Sequence, residues 1–513
     1  MSTHFWKPGK QVSYAVTSTC ELAFILFGVE QGIVGNLIDG ENFLNQFGHP
    51  TGSYLGIIVS IYTLGCFFGC IPTYYVGDYL GRRKMIALAM VLVIIGVVLQ
   101  TSAYSVPHLM IGRFICGLGT GMETSSVPMY QAELSRPELR GRLVCSEALF
   151  VGIGLVYAYW FTYGMSFTSG AIVWRLPIAT QIIFAVVVLG LTFTIPESPR
   201  FLYFKGRKEE AKQVLCYVFG KPETDPVITG MYRDIEEAMI LESTEGSYSW
   251  KRLFVKDKAK TRHRVLLAYL SMFAQQVGGI NLINYYITTV LINNVGLERN
   301  LAMILAGCTV ICFTVGSLVP SFFSDSLGRR LPLVYGYFGC GVCMLLISIL
   351  LSFQDNSRLK ESTGSAAVAF FFLFQIIFGA TGNCIPWVVV PEILPLHARA
   401  KGTAIGISAN WLWNFFVVEI TPTIITNIKW RSYLIFTVTN LAFSIMVYLF
   451  YPETKKLTLE SIDKLFSENN TMFMGFVDHK QYRSSSVEEW ESSDSVSNGK
   501  SISLQHVESV GSN

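Results

Sequence analysis

Twelve predominantly apolar stretches, each about 20 residues long, limit most strongly what this 513-residue chain can fold into. A helix of about 20 residues crosses a hydrocarbon core of roughly 30 Å. Because lipid cannot hydrogen-bond with the backbone, a spanning segment must pair its own N–H and C=O groups. The runs are continuous and lack the period-two alternation of barrel strands. The sequence therefore predicts an all-α membrane protein. Its 12 transmembrane helices are expected near residues 14–35, 54–76, 85–104, 107–130, 143–163, 174–195, 265–288, 301–323, 331–353, 366–390, 403–424 and 430–451.

Charged motifs between these stretches occur twice, about half a chain length apart. They are Asp78-x-x-Gly81-Arg82-Arg83 with Asp325-x-x-Gly328-Arg329-Arg330, Glu133 and Arg140 with Glu392 and Arg399, and Pro196-Glu197-Ser198-Pro199-Arg200 with Pro452-Glu453-Thr454-Lys455. Internal repeats in a membrane protein are typical of transporters. The repeats predict two six-helix bundles, over 1–195 and 265–452. A cytoplasmic linker with short helices is expected over 196–264, and a largely disordered cytoplasmic tail over 453–513.

Basic residues give the expected orientation. Most of the 39 Lys and Arg residues fall in the alternate loops that lie on the side of both termini and of the linker. Because such loops stay in the cytoplasm, both termini are expected there. We expect a multi-pass protein of the plasma membrane, with the vacuolar membrane as the alternative.

Charged residues inside spans are candidates for function, because burying a charge in a membrane costs several kcal/mol unless it is paired or hydrated. Glu30 in the first span and Arg113 in the fourth both fall in the outer half of the membrane. A carboxylate that releases its arginine partner when it takes up a proton can couple transport to protons. A static ion pair is the alternative. Glu123, Glu147 and Glu419 are weaker candidates of the same kind.

Amide and aromatic side chains gather in the second half. In the seventh span, Gly278 and Gly279 favour a break in the helix. Amides supply donors and acceptors to hydroxyl groups, and aromatic faces pack against the CH side of a sugar ring. The pattern therefore indicates a site for a neutral polyhydroxyl ligand. Its candidate residues are Gln275, Gln276, Asn281, Asn284, Tyr285, Tyr286, Asn383, Trp387, Asn410, Trp411 and Asn414.

Other classes of function find little support. Ten of the eleven cysteines fall in predicted spans, so a disulfide framework is not expected. The chain shows no metal-spaced cluster, phosphate loop or nucleophile constellation, which argues against an enzyme. It also lacks a basic stripe with interleaved aromatics that would bind nucleic acid.

With these motifs in place, the chain resembles the sugar porters of the major facilitator superfamily from about Tyr14 to Phe466, near the fungal branch of sugar and proton-coupled glycerol carriers. The resemblance implies alternating access of two six-helix bundles around a central site. It assigns substrate contacts to Gln275, Gln276, Asn281, Trp387, Asn410 and Trp411. Tyr285, from the polar pattern of the seventh span, and Glu147 of the fifth span complete the expected substrate site. Proton coupling falls on Glu30 and Arg113. Glu147 stands where glucose porters typically have Gln, so glucose is in doubt as the substrate.

The resemblance also implies that the repeated charged residues form a cytoplasmic gate. It comprises Asp78, Arg82, Glu133, Arg140, Glu197, Asp325, Arg329, Glu392, Arg399 and Glu453. The implied function is import of a monosaccharide or polyol together with protons, with the proton as coupling ion and no other cofactor. A facilitative uniporter and a non-transporting nutrient sensor on the same fold are the alternatives. Expected partners are the small-molecule substrate, the lipid bilayer and trafficking machinery at the tail, and the expected functional unit is a monomer.

Overall fold

The computed structural model describes residues 5–136, 140–244, 250–354, 356, 358–455, 457 and 459–482. Within these ranges the chain is helical and contains no β-strand. The first half contains α1 (Lys10–Leu37), α2 (Glu41–Phe47), α3 (Gly52–Leu80), α4 (Arg82–Thr101), α5 (Val106–Leu134), α6 (Arg140–Met165) and α7 (Ile172–Thr192). The connecting segment contains α8 (Pro199–Phe204), α9 (Lys208–Phe219) and α10 (Pro226–Thr244).

The second half repeats the pattern with two helices broken in the middle. It contains α11 (Thr261–Val277), α12 (Ile280–Val290), α13 (Arg299–Leu327), α14 (Arg330–Leu351), α15 (Lys360–Ala380), α16 (Ile385–Ile393), α17 (Arg399–Ile428), α18 (Ser432–Phe450) and α19 (Leu459–Glu468). Helices α11 and α12 form one span, as do α15 and α16.

The prediction of twelve spans agrees with the helices observed. Ten continuous helical stretches in the described ranges are long and apolar enough to cross a membrane, and one of them, 401–450, contains both α17 and α18. Helix α5 is equally long but carries Arg113, Glu123 and Glu133, and it completes the twelve. We call the end of the bundles with the two Gly-Arg-Arg motifs the motif face, and the other end the opposite face.

Glycines allow helices to cross in close contact within the first half. A Cβ atom on Gly28 of α1 would lie 2.1 Å from the Val151 carbonyl oxygen of α6. A Cβ atom on Gly154 of α6 would lie 2.1 Å from the carbonyl oxygen of Ile25. Small residues at a helix crossing let the two backbones touch. Because lipid provides no hydrophobic driving force between helices, such close contacts hold membrane bundles together.

The linker and the first part of the tail pack against the motif face. The Tyr217 hydroxyl of α9 donates to the Trp6 carbonyl at 2.7 Å, and the backbone N–H of Gly9 donates to the Tyr217 carbonyl at 2.8 Å. In the tail, Asp463 of α19 pairs with buried Arg264. The prediction of a largely disordered tail is therefore corrected for the described residues between 453 and 482, which pack because α19 buries an apolar face that includes Leu465 and Phe466. Residues 483–513 lie outside the described part.

We predict that Gly154→Ala destabilises the α1–α6 contact by about 1–3 kcal/mol, because the added methyl group meets backbone atoms that cannot move aside. A lower melting temperature of the purified protein in detergent would show this. Gly164→Ala on the same helix is the matched control, because a Cβ atom there meets nothing within 4 Å. Equal melting temperatures for the two variants would contradict the close crossing.

Candidate functional site

The breaks in the two interrupted spans bring the predicted amides together in the centre of the second half. Gln275 at the end of α11 donates to the carbonyl oxygens of Gly382 and Asn383, at 2.8 and 2.7 Å, in the break between α15 and α16. Gln276 donates to Asn410 Oδ1 of α17. Asn281 at the start of α12 donates to Gln276 Oε1 at 2.8 Å. We call Gln275, Gln276, Asn281 and Asn410 the amide cluster.

Aromatic side chains lie around the same centre. Trp411, next to Asn410 in α17, is fully buried and makes an edge contact of 5.5 Å with Phe27 of α1. Trp387 is partly buried in the core of the second half. The Tyr285 hydroxyl and the Trp411 indole N–H are buried and lack a hydrogen-bond partner among the described residues. Buried donors without a partner in the protein can bind a polar ligand.

Glu30 and Arg113 are both buried inside the first half, at 1% and 3% exposure. Arg113 interacts electrostatically with the Glu30 carboxylate. Their nearest polar contacts are different, however. The Cys116 thiol donates to Glu30 Oε1 at 2.6 Å, whereas Arg113 Nη2 donates to the Val59 carbonyl at 2.9 Å and the guanidinium lies over the Tyr62 ring. No ion pair within 4 Å joins the two in the described part of the chain.

The weaker acidic candidates occupy three different places. Glu147 of α6 is buried and interacts electrostatically with Glu21 of α1, and it makes no described bond to the amide cluster. Glu123 of α5 is fully buried beside Glu30, and neither of its oxygens has a partner among the described residues. Glu419 of α17 accepts a hydrogen bond of 2.7 Å from Ser60 of α3. That bond joins the two halves.

Further polar contacts between the halves lie at several levels, and the sequence motifs do not reveal them. Near the opposite face, Thr288 donates to Asn36 Oδ1 at 2.5 Å and Thr289 donates to Asp39 at 2.6 Å. About one helical turn nearer the motif face, the Tyr159 hydroxyl donates to the Asn284 carbonyl at 2.8 Å. Asn36 of α1, Asp39 just after α1 and Tyr159 of α6 thus all bond to residues of α12. The only sequence signal for them is a polar residue in an otherwise apolar run.

At the motif face of the first half, the repeated charges form a compact set of contacts. Arg82 pairs with Glu133 at 3.3 Å, and Ser198 donates to the same carboxylate. Glu197 accepts hydrogen bonds from the backbone N–H groups of Arg82 and Arg83 at 3.1 and 3.3 Å, at the start of α4. Burial raises the pKa of Glu197, and these backbone bonds oppose that rise.

The second half repeats this arrangement. Arg329 pairs with Glu392 at 3.0 Å, and Thr454 donates to the same carboxylate at 2.7 Å. Glu453 accepts from the backbone N–H groups of Arg329 and Arg330, at 2.9 and 3.1 Å, at the start of α14.

Both halves therefore use the Glu of the Pro-Glu motif to accept hydrogen bonds at a helix N-terminus, where the dipole favours a negative charge. Ser198 and Thr454 were missed by the sequence reasoning, although each follows that Glu in its repeat. Arg399 Nη2 donates to the Leu394 carbonyl at 3.3 Å. The side chains of Asp78, Arg140 and Asp325 lie outside the described part of the structure.

A disulfide framework was not expected, but the structure joins one pair of cysteines. Cys145 of α6 and Cys384 before α16 are joined, with their Cα atoms 5.4 Å apart. Sequence spacing could not predict this pair, because 239 residues separate the two positions. Cys340 and Cys343 of α14 are free and buried. No cluster of metal-binding residues occurs among the described positions.

Two interrupted spans, a central set of amides and duplicated contacts at one face define a carrier of the major facilitator type. A profile of the sugar (and other) transporter family matches residues 16–466, and the chain belongs to this family. Curated relatives include MFS-type transporter oryC from Aspergillus oryzae, 38% identical over 91% of this chain and 87% of that protein. Sugar transporter STL1 from Saccharomyces cerevisiae is 33% identical over 91% and 83%. A quinate permease from Neurospora africana is 30% identical over 88% of each.

Solved structures agree on the fold. The proton:xylose symporter XylE, bound to 6-bromo-6-deoxy-D-glucose, aligns with a TM-score of 0.75 at 24% identity over 88% of this chain and 99% of its own. Because the chain belongs to the sugar transporter family and its curated relatives are transporters, the protein is a membrane transporter and not an enzyme.

We predict that Glu453→Gln lowers stability by about 1 kcal/mol, because the amide keeps one acceptor at the start of α14 and loses the charge that the helix dipole favours. Thermal unfolding of the purified protein is the measurement. Glu468→Gln, at an exposed position of α19, is the control. A loss of the same size in both variants would argue against a specific role for the Glu453 contact.

Proposed function

We propose that the protein is a secondary active transporter that imports a neutral monosaccharide or polyol together with protons by alternating access. The observation that carries the proposal is the amide cluster, which lies at two helix breaks in the centre of the second half. Trp411 beside it contacts Phe27 of the first half, in the same helix as the buried Glu30. An amide offers both a donor and an acceptor, as a hydroxyl does. A polyhydroxyl ligand can therefore replace the bonds that these amides now make with each other.

The buried charges favour a neutral substrate. Glu30, Glu123 and Glu147 are all nine-tenths buried or more within the spans of the first half, whereas Arg113 is the buried basic side chain described there. A substrate with a carboxylate needs a cation in such an interior. One relative is named a quinate permease, and quinate is such a carboxylate. The acid-rich interior of this chain argues for a substrate without that charge.

Alternating access finds support in where the halves touch. The Cys145–Cys384 contact lies toward the motif face, and the Asn36–Thr288 and Asp39–Thr289 bonds lie toward the opposite face. Contacts of both kinds together close the centre to either side. Opening one set at a time would expose the amide cluster first to one side of the membrane and then to the other. The network at the motif face can bias this two-state equilibrium, although single exposed ion pairs contribute about 1 kcal/mol or less.

Basic residues on the side of the termini place the motif face in the cytoplasm under this proposal. The plasma membrane is the proposed location. Import against a concentration gradient is then driven by the membrane potential, which contributes about 2.3 kcal/mol per charge per 100 mV.

We predict that Glu30→Gln abolishes uphill uptake and leaves exchange of substrate across the membrane intact, because the amide cannot carry a proton. A panel of sugars and polyols in cells without other such carriers, with external pH recorded, first finds the substrate. Symport makes the medium alkaline during uptake, and a uniporter does not. Accumulation by Glu30→Gln with an unchanged pH response would contradict the coupling role. No uptake of any compound by the expressed wild type would favour the sensor alternative.

We also predict that Gln276→Ala raises KM by about 5- to 150-fold. The change removes the residue that joins Asn281 and Asn410 and leaves a substrate hydroxyl unpaired, at a cost of about 1–3 kcal/mol. Initial uptake rates against substrate concentration measure this. Gln181→Ala is the matched control, since Gln181 is equally buried but lies in α7 of the first half. A similar rise in KM for the control would place the effect in folding and not in binding.

A further inference from the structure

The Cys145–Cys384 bond crosses the interface between the two halves. Cys145 lies in α6 of the first half and Cys384 in the break between α15 and α16 of the second, and both are fully buried beside Ala148 and Val388. Hydrogen bonds join the same two surfaces: Ser321 of α13 donates to the Cys145 carbonyl at 3.0 Å, and Asn383 donates to the Ala148 carbonyl at 3.3 Å. The two thiols thus sit at the centre of a small contact between the bundles.

This contact lies between the amide cluster and the motif face. Cys145 is five residues after the start of α6 at the motif face, a rise of about 8 Å along the helix. Cys384 immediately precedes α16, which runs toward the same face, and Asn383 beside it accepts a hydrogen bond from Gln275 of the amide cluster. A path from the centre to the motif face must therefore open past this pair.

A disulfide here is incompatible with that opening. Cysteines joined by a disulfide keep their Cα atoms within about 7 Å of each other. Parting of α6 from α16 on the scale that a sugar needs requires more than this. The bonded form is confined to states that are closed at the motif face, whereas the dithiol form is not.

We propose that Cys145 and Cys384 are a redox-operated lock: as a disulfide they hold the motif face closed and stop transport, and as two thiols they permit the transport cycle. This inference rests on the proposed alternating access and is independent of the substrate. A purely structural disulfide would join elements that stay together. This one joins the two bodies that the cycle must separate, 239 residues apart.

A peroxide is the oxidant that we assign. One cysteine thiol gives up its proton, and the thiolate attacks the peroxide and takes one oxygen to become a sulfenic acid. The hydroxide that leaves takes up the thiol's proton and becomes water. The second thiol then attacks the sulfenic sulfur, forms the S–S bond and releases a second water, so that two thiols and one hydrogen peroxide give a disulfide and two waters. A cellular dithiol reverses the step by exchange. With the motif face in the reducing cytoplasm, the thiols prevail until peroxide rises, as in other transient cytosolic disulfides.

The experiment has two arms on the full-length protein. In the first arm, a protease site is inserted in the loop 220–225 between α9 and α10. Cells are treated with hydrogen peroxide or dithiothreitol, and the protein is then cleaved at this site into its two halves. Non-reducing electrophoresis shows whether the halves stay joined. In the second, initial uptake of the substrate found by the panel is measured under the same treatments. The variants are Cys145→Ser and Cys384→Ser, with Cys216→Ser in the partly exposed surface of α9 as the control.

We expect peroxide to join the halves and to reduce uptake to the level of cells without the protein, and dithiothreitol to reverse both. Cys145→Ser and Cys384→Ser should each transport normally, and peroxide should not reduce their uptake. Their cleaved halves should run separately on the gel. Cys216→Ser should behave as the wild type. Cross-linked protein that still transports would overturn the lock, as would wild-type halves that never join. Peroxide sensitivity of Cys145→Ser or Cys384→Ser equal to that of the wild type would also overturn it. The gel needs no substrate, so a failed uptake proposal is distinguished from a failed lock.

Discussion

Hydrogen bonding of the backbone in a medium that offers none is the constraint on which this structure depends. An unbroken helix meets it by itself, so every break in a span needs side chains or protein backbone to complete the bonds. At the first break, Gly279 adopts a φ of 96° and Asn440 of α18 donates to the Gly278 carbonyl at 2.7 Å. At the second, Gln275 donates to two carbonyls. The side chains that repair the breaks also bring the amide cluster together.

Repetition in the sequence has a corresponding physical cause. A negatively charged side chain near a helix N-terminus is stabilised by the unpaired N–H groups there. Glu197 and Glu453 occupy this place at the starts of α4 and α14, and the preceding Gly81 and Gly328 turn the chain with φ near 89° and 83°. Arg82 and Arg329, next to these glycines, then reach Glu133 and Glu392. The same short motif thus ends one helix and starts the next, and its arginine joins these two helices to a third, α5 in the first half and α16 in the second.

Much of the fold and part of the site could be predicted from the sequence, because both follow from local patterns. Span length, the glycine pair in the seventh span and the clustered amides depend on residues close in the chain. The remainder depends on tertiary contacts. Glu30 and Arg113 were expected as a pair, but Cys116 and the Val59 carbonyl lie nearer to them, and only packing decides which partner a buried group reaches. Cys145 and Cys384 are similarly joined through the meeting of α6 and α16, which no spacing rule contains.

The amide cluster satisfies itself in this closed state, and this governs how it can select a ligand. Gln276 already bonds to Asn410 and Asn281 already bonds to Gln276, so a substrate gains only the difference between its own bonds and those it displaces. A compound with hydroxyls at the wrong spacing breaks these bonds without replacing them, at a cost of about 1–3 kcal/mol for each unpaired group. Under the proposed function, discrimination among sugars and polyols therefore depends on matching all the amides at once and less on the strength of any one contact.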